Sequence, residues 1–482
     1  MDVSEQKRGV SGKDSARLCV SALSGGGGKT LLALGLARLL RRKGLAVKPF
    51  KKGPDYIDAA WLSLAAEAPA VNLDPWFLPQ DRLRALFAHS MSQRHAGEGL
   101  GLIEGNRGLF DGLDVAGSCS TSQLARALAC PVLVCLNCAK MTRTAAALVQ
   151  GVRNFEPGLR IAGLVLNQVG SSRHETALRR ALEAHTDVPV LGALPRLPEN
   201  PLPERHMGLS SFGSGLSGNA QAVCENLADV VAAHVDVEAV LETARSAPGL
   251  PEEKPFWGQA PSVSLGEVPR IGYVHDDALW FYYQENLESL SRAGAELTRL
   301  SFFDGRPWPR LDGLYLGGGF PEDMAAQLSA SPRLAEVADM ARRGMPIYAE
   351  CGGFMLLSRG IEINGRLWPM GGLFPVATRF CARPQGLGYV LARVERENPW
   401  FERGMELRGH EFHYSRCEWE AEAPPAALRL VRGTGMGNAG EDAFDGLVRD
   451  NVFAAYTHIF APAVPCWALN FTRLALRFRQ SG

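Results

Sequence analysis

Two short segments, far apart in the chain, hold residue types that do chemistry: Ser24-Gly25-Gly26-Gly27-Gly28-Lys29-Thr30 and Ala349-Glu350-Cys351-Gly352-Gly353. The first follows the apolar run Leu18–Leu23 and precedes a leucine-rich stretch from Leu31 to Leu40, which predicts strand, glycine loop and helix. Such a loop points backbone N–H groups at phosphates, with Lys29 as a point charge and Thr30 as a magnesium ligand. A glycine-rich turn alone could be a tight structural loop, but its position and the following Lys-Thr favour phosphate. Leu23 stands where the strict G-x-x-x-x-G-K-[ST] pattern has its first glycine. In the second segment the thiol lies between Ile347-Tyr348-Ala349 and Phe354-Met355-Leu356-Leu357, as in the sharp strand-to-helix turn that exposes a nucleophile. Ala349 and Gly353 leave room for that turn, which weighs against a buried structural cysteine. The following helix N-terminus is expected to lower the thiol pKa. A nucleotide loop and a cysteine nucleophile on separate halves imply an enzyme that makes ammonia in one place and spends ATP in another.

Other residues gather around these two. Lys52-Gly53-Pro54-Asp55-Tyr56-Ile57-Asp58 follows a second apolar run, Leu45–Phe50. Its carboxylates converge on the strand ends, where open α/β sheets bind ligands, although a solvated turn is the plainer reading. Lys52, Asp55, Tyr56 and Asp58 are the candidate substrate contacts. Glu104 ends the run Gly101-Leu102-Ile103, well placed to hold the magnesium of Thr30, so Thr30, Asp55 and Glu104 form the candidate metal set. Asp111 and Asp114 follow nearby with no firm role. Near the thiol, Leu316-Gly317-Gly318-Gly319-Phe320-Pro321-Glu322 follows Gly313-Leu314-Tyr315, and its glycines permit φ angles that aim N–H groups at an oxyanion. Gly318 and Gly319 are the candidate oxyanion hole, with a simple turn as the alternative. Three histidines compete to be the base: His410, His413 and His458.

These residues need a scaffold. With 482 residues the chain is too long for one core. Apolar runs alternate with helical stretches in the first half (Leu18–Leu23, Leu45–Phe50, Leu100–Glu104, Val132–Asn137, Ile161–Asn167), which predicts a doubly wound parallel sheet. Ser246 to Pro255 is rich in proline and charge, and a new alternation begins at Arg270. The expected α/β organisation is therefore an ATP-binding domain over 1–246, a linker over 247–268 and a second domain over 269–482. Lys plus Arg equals Asp plus Glu at 51 each, so no global field draws nucleic acid or an anionic membrane. Met1–Arg8 has no apolar leader core, and no apolar run is long enough to span a bilayer, so a cytoplasmic protein with mostly free thiols is expected. Cys135 and Cys138 have C-x-x-C spacing, but without a second pair they read better as small buried hydrophobes than as a metal or redox motif.

At these residues the chain resembles the cobyrinic acid a,c-diamide synthase family, whose first half is similar to dethiobiotin synthetase. The matching segments are Ser24–Thr30, Lys52–Asp58, Asn72-Leu73-Asp74, Glu104-Gly105 with Leu109–Gly112, Leu166-Asn167 and Glu204–Leu209. The second half resembles class I glutamine amidotransferases of the cobyrinic and cobyric acid type. That resemblance implies Cys351 as nucleophile with His458 as its base. Ordinary class I enzymes place Glu two residues after this histidine; here Phe460 stands there, so the pair is written as a dyad whose orienting group is unidentified. Asn137 also departs from the family, where Asp usually ends that strand, and receives no metal role. The resemblance further implies that Mg-ATP phosphorylates the a and c acetate carboxylates of cobyrinic acid and that ammonia from glutamine displaces phosphate. It allows a homodimer as the assembly. Relatives amidate siroheme, nickel sirohydrochlorin or hydrogenobyrinic acid, which keeps another tetrapyrrole open as substrate. A P-loop scaffold ATPase with a dead amidotransferase domain is the non-enzymatic alternative, opposed by an intact Cys351 and His458.

Overall fold

A computed structural model describes residues 15–93, 99–197, 202, 218–258, 267–420, 423–437, 440 and 443–481. Met1–Arg8, Glu204–Leu209 and residues 259–266 of the expected linker lie outside the described residues. The described chain divides into two compact units, one ending at residue 258 and one running from 267 to 481. Both are α/β.

The first unit is built on strands β1 (Ala16–Ala22), β2 (Ala46–Lys52), β3 (Val71–Leu73), β4 (Gly99–Glu104), β5 (Val132–Asn137), β6 (Ile161–Val169) and β7 (Val190–Pro195). They form one parallel sheet in the order β3-β2-β4-β1-β5-β6-β7. Helices cover both faces, so the strands are buried along almost their whole length and read as continuous apolar runs. The chain leaves β1 toward β2 and β3, returns through β4, and then continues on the other side of β1 as β5 to β7. That reversal opens a crevice at the carboxyl ends of β1, β2 and β4. Register places Lys51 of β2 directly beside Glu104 of β4, and Glu104 beside Val20 of β1. The helix Lys29–Arg42 starts at the glycine loop and ends with Arg41 and Arg42 in its last turn. Gly44, at φ 85°, takes the left-handed turn that closes it.

The second unit has a six-stranded sheet running Glu296–Leu300, Arg270–Val274, Gly313–Leu316, Ile347–Glu350, Val452–Ala455 and Leu447–Arg449. The first five strands are parallel and the last is antiparallel. Behind this sheet an aromatic cluster fills the core: Trp467 meets Tyr315 and Tyr348 edge-on, and Trp400 meets Phe471. A five-stranded antiparallel sheet carries Gly386–Val394, Glu406–His413 and the short strand His458-Ile459. In it His410 is the direct cross-strand partner of His458. Among the described residues no helix is long and apolar enough to cross a membrane.

Two candidate active sites

The glycine loop is held from below by the tips of two neighbouring strands. Asn167 Nδ2 donates to the Gly27 carbonyl at 3.1 Å, and Cys135 Sγ to the same oxygen at 3.4 Å. Gly28 adopts φ 97°, and a Cβ there would lie 2.1 Å from Asn167 Nδ2, so only glycine fits. Ser24, Gly25 and Gly26 remain open to solvent, while Lys29 is buried at the start of the helix. Cys135 is thus a brace for the loop; burial pushes its thiol up to about 12 and that of Cys138 up to about 11. Neither thiol is activated as a nucleophile. All ten cysteines are free.

Thr30 Oγ1 donates to Glu104 Oε1 at 2.5 Å. Lys51 Nζ, fully buried, reaches Asp58 Oδ2 at 2.6 Å, Glu104 Oε1 at 3.2 Å and the Gly105 carbonyl at 3.2 Å. Burial works against the Lys51 ammonium, but Asp58, Glu104 and Asp55 outweigh it and hold the charge firmly in place. For Asp58, burial raises the pKa and Lys51 more than reverses it, so the carboxyl stays ionised. Asp55, whose Oδ1 accepts the Asp58 N–H at 2.8 Å, is pushed up to about 7 by burial and by Asp58. Burial likewise raises Glu104. Lys52, the candidate substrate contact, is the next residue along, and consecutive strand residues face opposite sides. Lys52 instead pairs with Asp74 at 3.3 Å. Lys51 takes the central place.

Among the described residues no group of three or more His, Cys, Asp or Glu could by itself hold a metal ion. The residues nevertheless suit magnesium. Glu104 Oε2 is buried and takes no hydrogen bond, and Thr30 Oγ1 lies against the same carboxylate. One carboxylate, one hydroxyl and phosphate oxygens are what a six-coordinate hard cation accepts.

In the second unit Cys351 follows the strand Ile347–Glu350 and precedes the helix Gly352–Leu357, with φ 48° and ψ −101°. This strained elbow is fastened by the Cys351 N–H to the Ala455 carbonyl at 2.7 Å and the Gly353 N–H to the Gly317 carbonyl at 2.9 Å. A Cβ on Gly353 would lie 2.3 Å from the Leu316 carbonyl oxygen, which accounts for the glycine. The thiol is not acidic in this state. Burial raises its pKa well above the ordinary value, and Glu322 and Glu350 add to the rise, against the lowering expected from the helix N-terminus. Glu322 is itself pushed up to about 8 by burial.

The structure separates the three histidines. His458 is fully buried with its Cε1–Nε2 edge against Gly318: a Cβ there would lie 2.4 Å from Cε1 and 3.2 Å from Nε2. Gly319, at φ 155°, pairs with Leu279 in the short strand that carries this loop, and a Cβ on Gly352 would lie 3.0 Å from its nitrogen. His410 stacks on His458 with ring centres 4.8 Å apart, and burial holds its pKa far below normal. His413 lies flat on Tyr456 at 3.7 Å, with Nδ1 bonded to the Ser415 carbonyl at 2.7 Å. Sequence reasoning missed Glu350, whose Oε2 is 3.5 Å from His458 Nδ1. It also missed Asp445, which accepts the Tyr456 and Thr457 N–H groups at 3.0 and 2.8 Å and so fixes the turn before His458.

The two halves match known domains. Residues 18–209 match the CobQ/CobB/MinD/ParA nucleotide binding domain, and residues 270–464 the CobB/CobQ-like glutamine amidotransferase domain. Curated relatives named cobyrinate a,c-diamide synthase extend the match across both. The protein of Magnetococcus marinus is 38% identical over 456 residues, 94% of this chain and 95% of that one. The protein of Syntrophotalea carbinolica is 41% identical over 464 residues, covering 94% and 97%. The chain belongs to the cobyrinate a,c-diamide synthase family.

Two outcomes follow from the geometry around the thiol. Gly318→Ala puts a methyl group where the imidazole stands, so glutamine hydrolysis should fall by on the order of 10² or more, the size seen for a lost general base. A steady-state glutaminase assay reads this, and a rate within threefold of the parent contradicts the placement. Because the Cys351 pKa is raised, its thiolate fraction in the free enzyme keeps growing through pH 9. Iodoacetamide labelling of the Cys351 peptide should therefore still be rising at pH 9.5; a plateau below pH 8 would mean a preformed thiolate.

Proposed function

We propose that this protein amidates the a and c acetate carboxylates of cobyrinate, with glutamine as nitrogen donor and ATP as the activating substrate, as a step of cobalamin biosynthesis. The observation that carries this reading is the joining, in one chain of this family, of a strained Cys351 elbow and His458, both against the same Gly318-Gly319 loop, and a braced glycine loop above Lys51 and Glu104. Neither half alone makes an amide from glutamine.

In the glutaminase half, Cys351 Sγ attacks the carboxamide of glutamine while His458 Nε2 takes the thiol proton. The same proton passes to the leaving nitrogen, ammonia departs, and water then releases glutamate from the thioester. Backbone N–H groups of the Gly318-Gly319 loop receive the oxyanion. In the nucleotide half, the N–H groups of Ser24–Gly28 and Lys29 cradle the phosphates. Thr30 and Glu104 would hold magnesium, which supplies charge neutralisation on the transferring phosphoryl group. Lys51 is fixed between Asp58 and Glu104, where it holds both carboxylates in place at the crevice. A carboxylate is a poor acyl donor; an acyl phosphate is a good one, and ammonia displaces its phosphate. Asp55, Tyr56 and Asp58 shape the substrate side of the loop. We place the reaction in the cytoplasm, where ten free thiols are stable.

The test is a panel of tetrapyrrole acids incubated with pure protein, Mg-ATP and glutamine, with products read by mass. Cobyrinate should gain two amides in succession. Cys351→Ala should lose the glutamine-dependent product yet still form it from ammonium salts, whereas Lys29→Ala and Glu104→Ala should lose it with either nitrogen source. Amidation of siroheme, sirohydrochlorin, nickel sirohydrochlorin or hydrogenobyrinate in place of cobyrinate would reassign the substrate. No amidation of any acid would overturn the reading.

A further inference from the structure

We propose that Glu350, the residue directly before the nucleophile, is the carboxylate that positions His458. The inference rests on the reading of His458 as base of the glutaminase half. The position two residues beyond the histidine cannot do this: Phe460 is buried there, packed edge-on against Tyr283 at 5.3 Å.

Glu350 comes from the opposite direction. Its strand lies beside Val452–Ala455, with Glu350 paired to Ala455, and the chain reaches His458 three residues later. The carboxylate is buried and locked. Oε1 accepts the Ile459 N–H at 3.0 Å, and Oε2 accepts the Tyr315 hydroxyl at 2.9 Å. Asn286 secures the same turn, donating to the Ile459 carbonyl at 2.9 Å and accepting the Ala461 N–H at 2.7 Å. Oε2 then stands 3.5 Å from His458 Nδ1. This is long for a hydrogen bond, as such contacts often are before substrate tightens them.

Gly318 meets the ring at its Cε1–Nε2 edge, while Glu350 meets it at Nδ1, so the two groups address different nitrogens. A carboxylate at Nδ1 selects the tautomer with its proton there, which leaves the Nε2 lone pair free for the thiol proton. When Nε2 takes that proton, the imidazolium has an anion beside its second N–H; the proton stays on the ring until ammonia leaves with it. His410 covers one face and its ring contacts Tyr283. Glu411 is spent on the Thr434 and Gly435 N–H groups, and Asp445 on Tyr456 and Thr457.

The test compares glutamine hydrolysis by Glu350→Gln, Glu350→Asp, His458→Ala and the double variant Glu350→Gln/His458→Ala. Glutamine at position 350 keeps the volume and one acceptor oxygen, but its amide can donate toward Nδ1 and favours the wrong tautomer. We expect kcat to fall on the order of 10²–10⁴ with KM changed less than about threefold, the pattern of a carboxylate that orients a catalytic histidine. Glu350→Asp retains charge and should recover at least tenfold over Glu350→Gln. The double variant should be no slower than His458→Ala, because a group acting through the imidazole has nothing left to act on. A parent-like kcat in Glu350→Gln overturns the proposal, as does an aspartate no better than glutamine or a double variant slower by the full single-variant factor. If His458→Ala hydrolyses glutamine normally, the base itself is misassigned and Glu350 falls with it, an outcome distinct from failure of Glu350 alone.

Discussion

Everything in the second unit is arranged around one backbone constraint: Cys351 at φ 48° and ψ −101°. A non-glycine residue there costs on the order of 1–3 kcal/mol, and it persists only where neighbours leave no other choice. Here the strand Val452–Ala455 holds the Cys351 N–H, the Gly317 carbonyl holds Gly353, and the first helical turn closes from the Met355 N–H to the Cys351 carbonyl at 3.0 Å. Each fastening demands close backbone approach. Gly353 and Gly318 are therefore glycines for lack of space, the first against Leu316 and the second against the ring of His458. The elbow and the glycine loop are one packing solution.

The first unit solves a different problem with buried charge. A lysine without exposure would lose its proton in an apolar core, and isolated carboxylates there would gain one. Parallel register brings Lys51 to Glu104, and the turn after β2 brings Asp58 within 2.6 Å, so each charge is answered in place. The cluster still carries more carboxylates than cations in contact. Glu104 Oε2 is buried without a hydrogen bond, and a divalent cation with nucleotide phosphates would complete the balance.

How much of this was legible depended on distance along the chain. The strand, glycine loop and helix at Ser24–Thr30 and the elbow at Cys351 are local patterns and could be read directly, as could the alternation that makes both halves α/β. Lys51 could not. In a strand buried on both faces there is no polar-apolar alternation to tell Lys51 from Lys52, so the sequence does not show which of the two meets Glu104. Only the register with Glu104 decides. Asn167 and Cys135 brace Gly27 across more than a hundred residues, and nothing near them in sequence announces it. Glu350 was hidden in plain view: its neighbour Cys351 explained the segment so well that the carboxylate had no separate signal. The contact that gives it meaning is with residues 109 positions away.

The raised pKa of Cys351 is then a property of the site as a whole. Removal of the thiol from water is the main cause, and Glu322, Glu350 and Asp445 add to it, so charge on the sulfur is strongly opposed. A free thiolate would be both costly and reactive toward any electrophile that entered. In the proposed mechanism the proton leaves at acceptable cost only when the charge it exposes is answered at once, by an imidazolium on His458 and by an acyl carbon accepting the sulfur lone pair. Both conditions require a carboxamide lying between Cys351 and the Gly318-Gly319 loop. The carboxylate that helps suppress the resting thiolate is also the one beside His458 Nδ1, so in the proposed mechanism Glu350 both opposes a resting charge on sulfur and stands by the ring that receives the proton. Those two effects pull in the same direction: they keep the nucleophile silent in the free enzyme and concentrate stabilisation in the step where the proton moves.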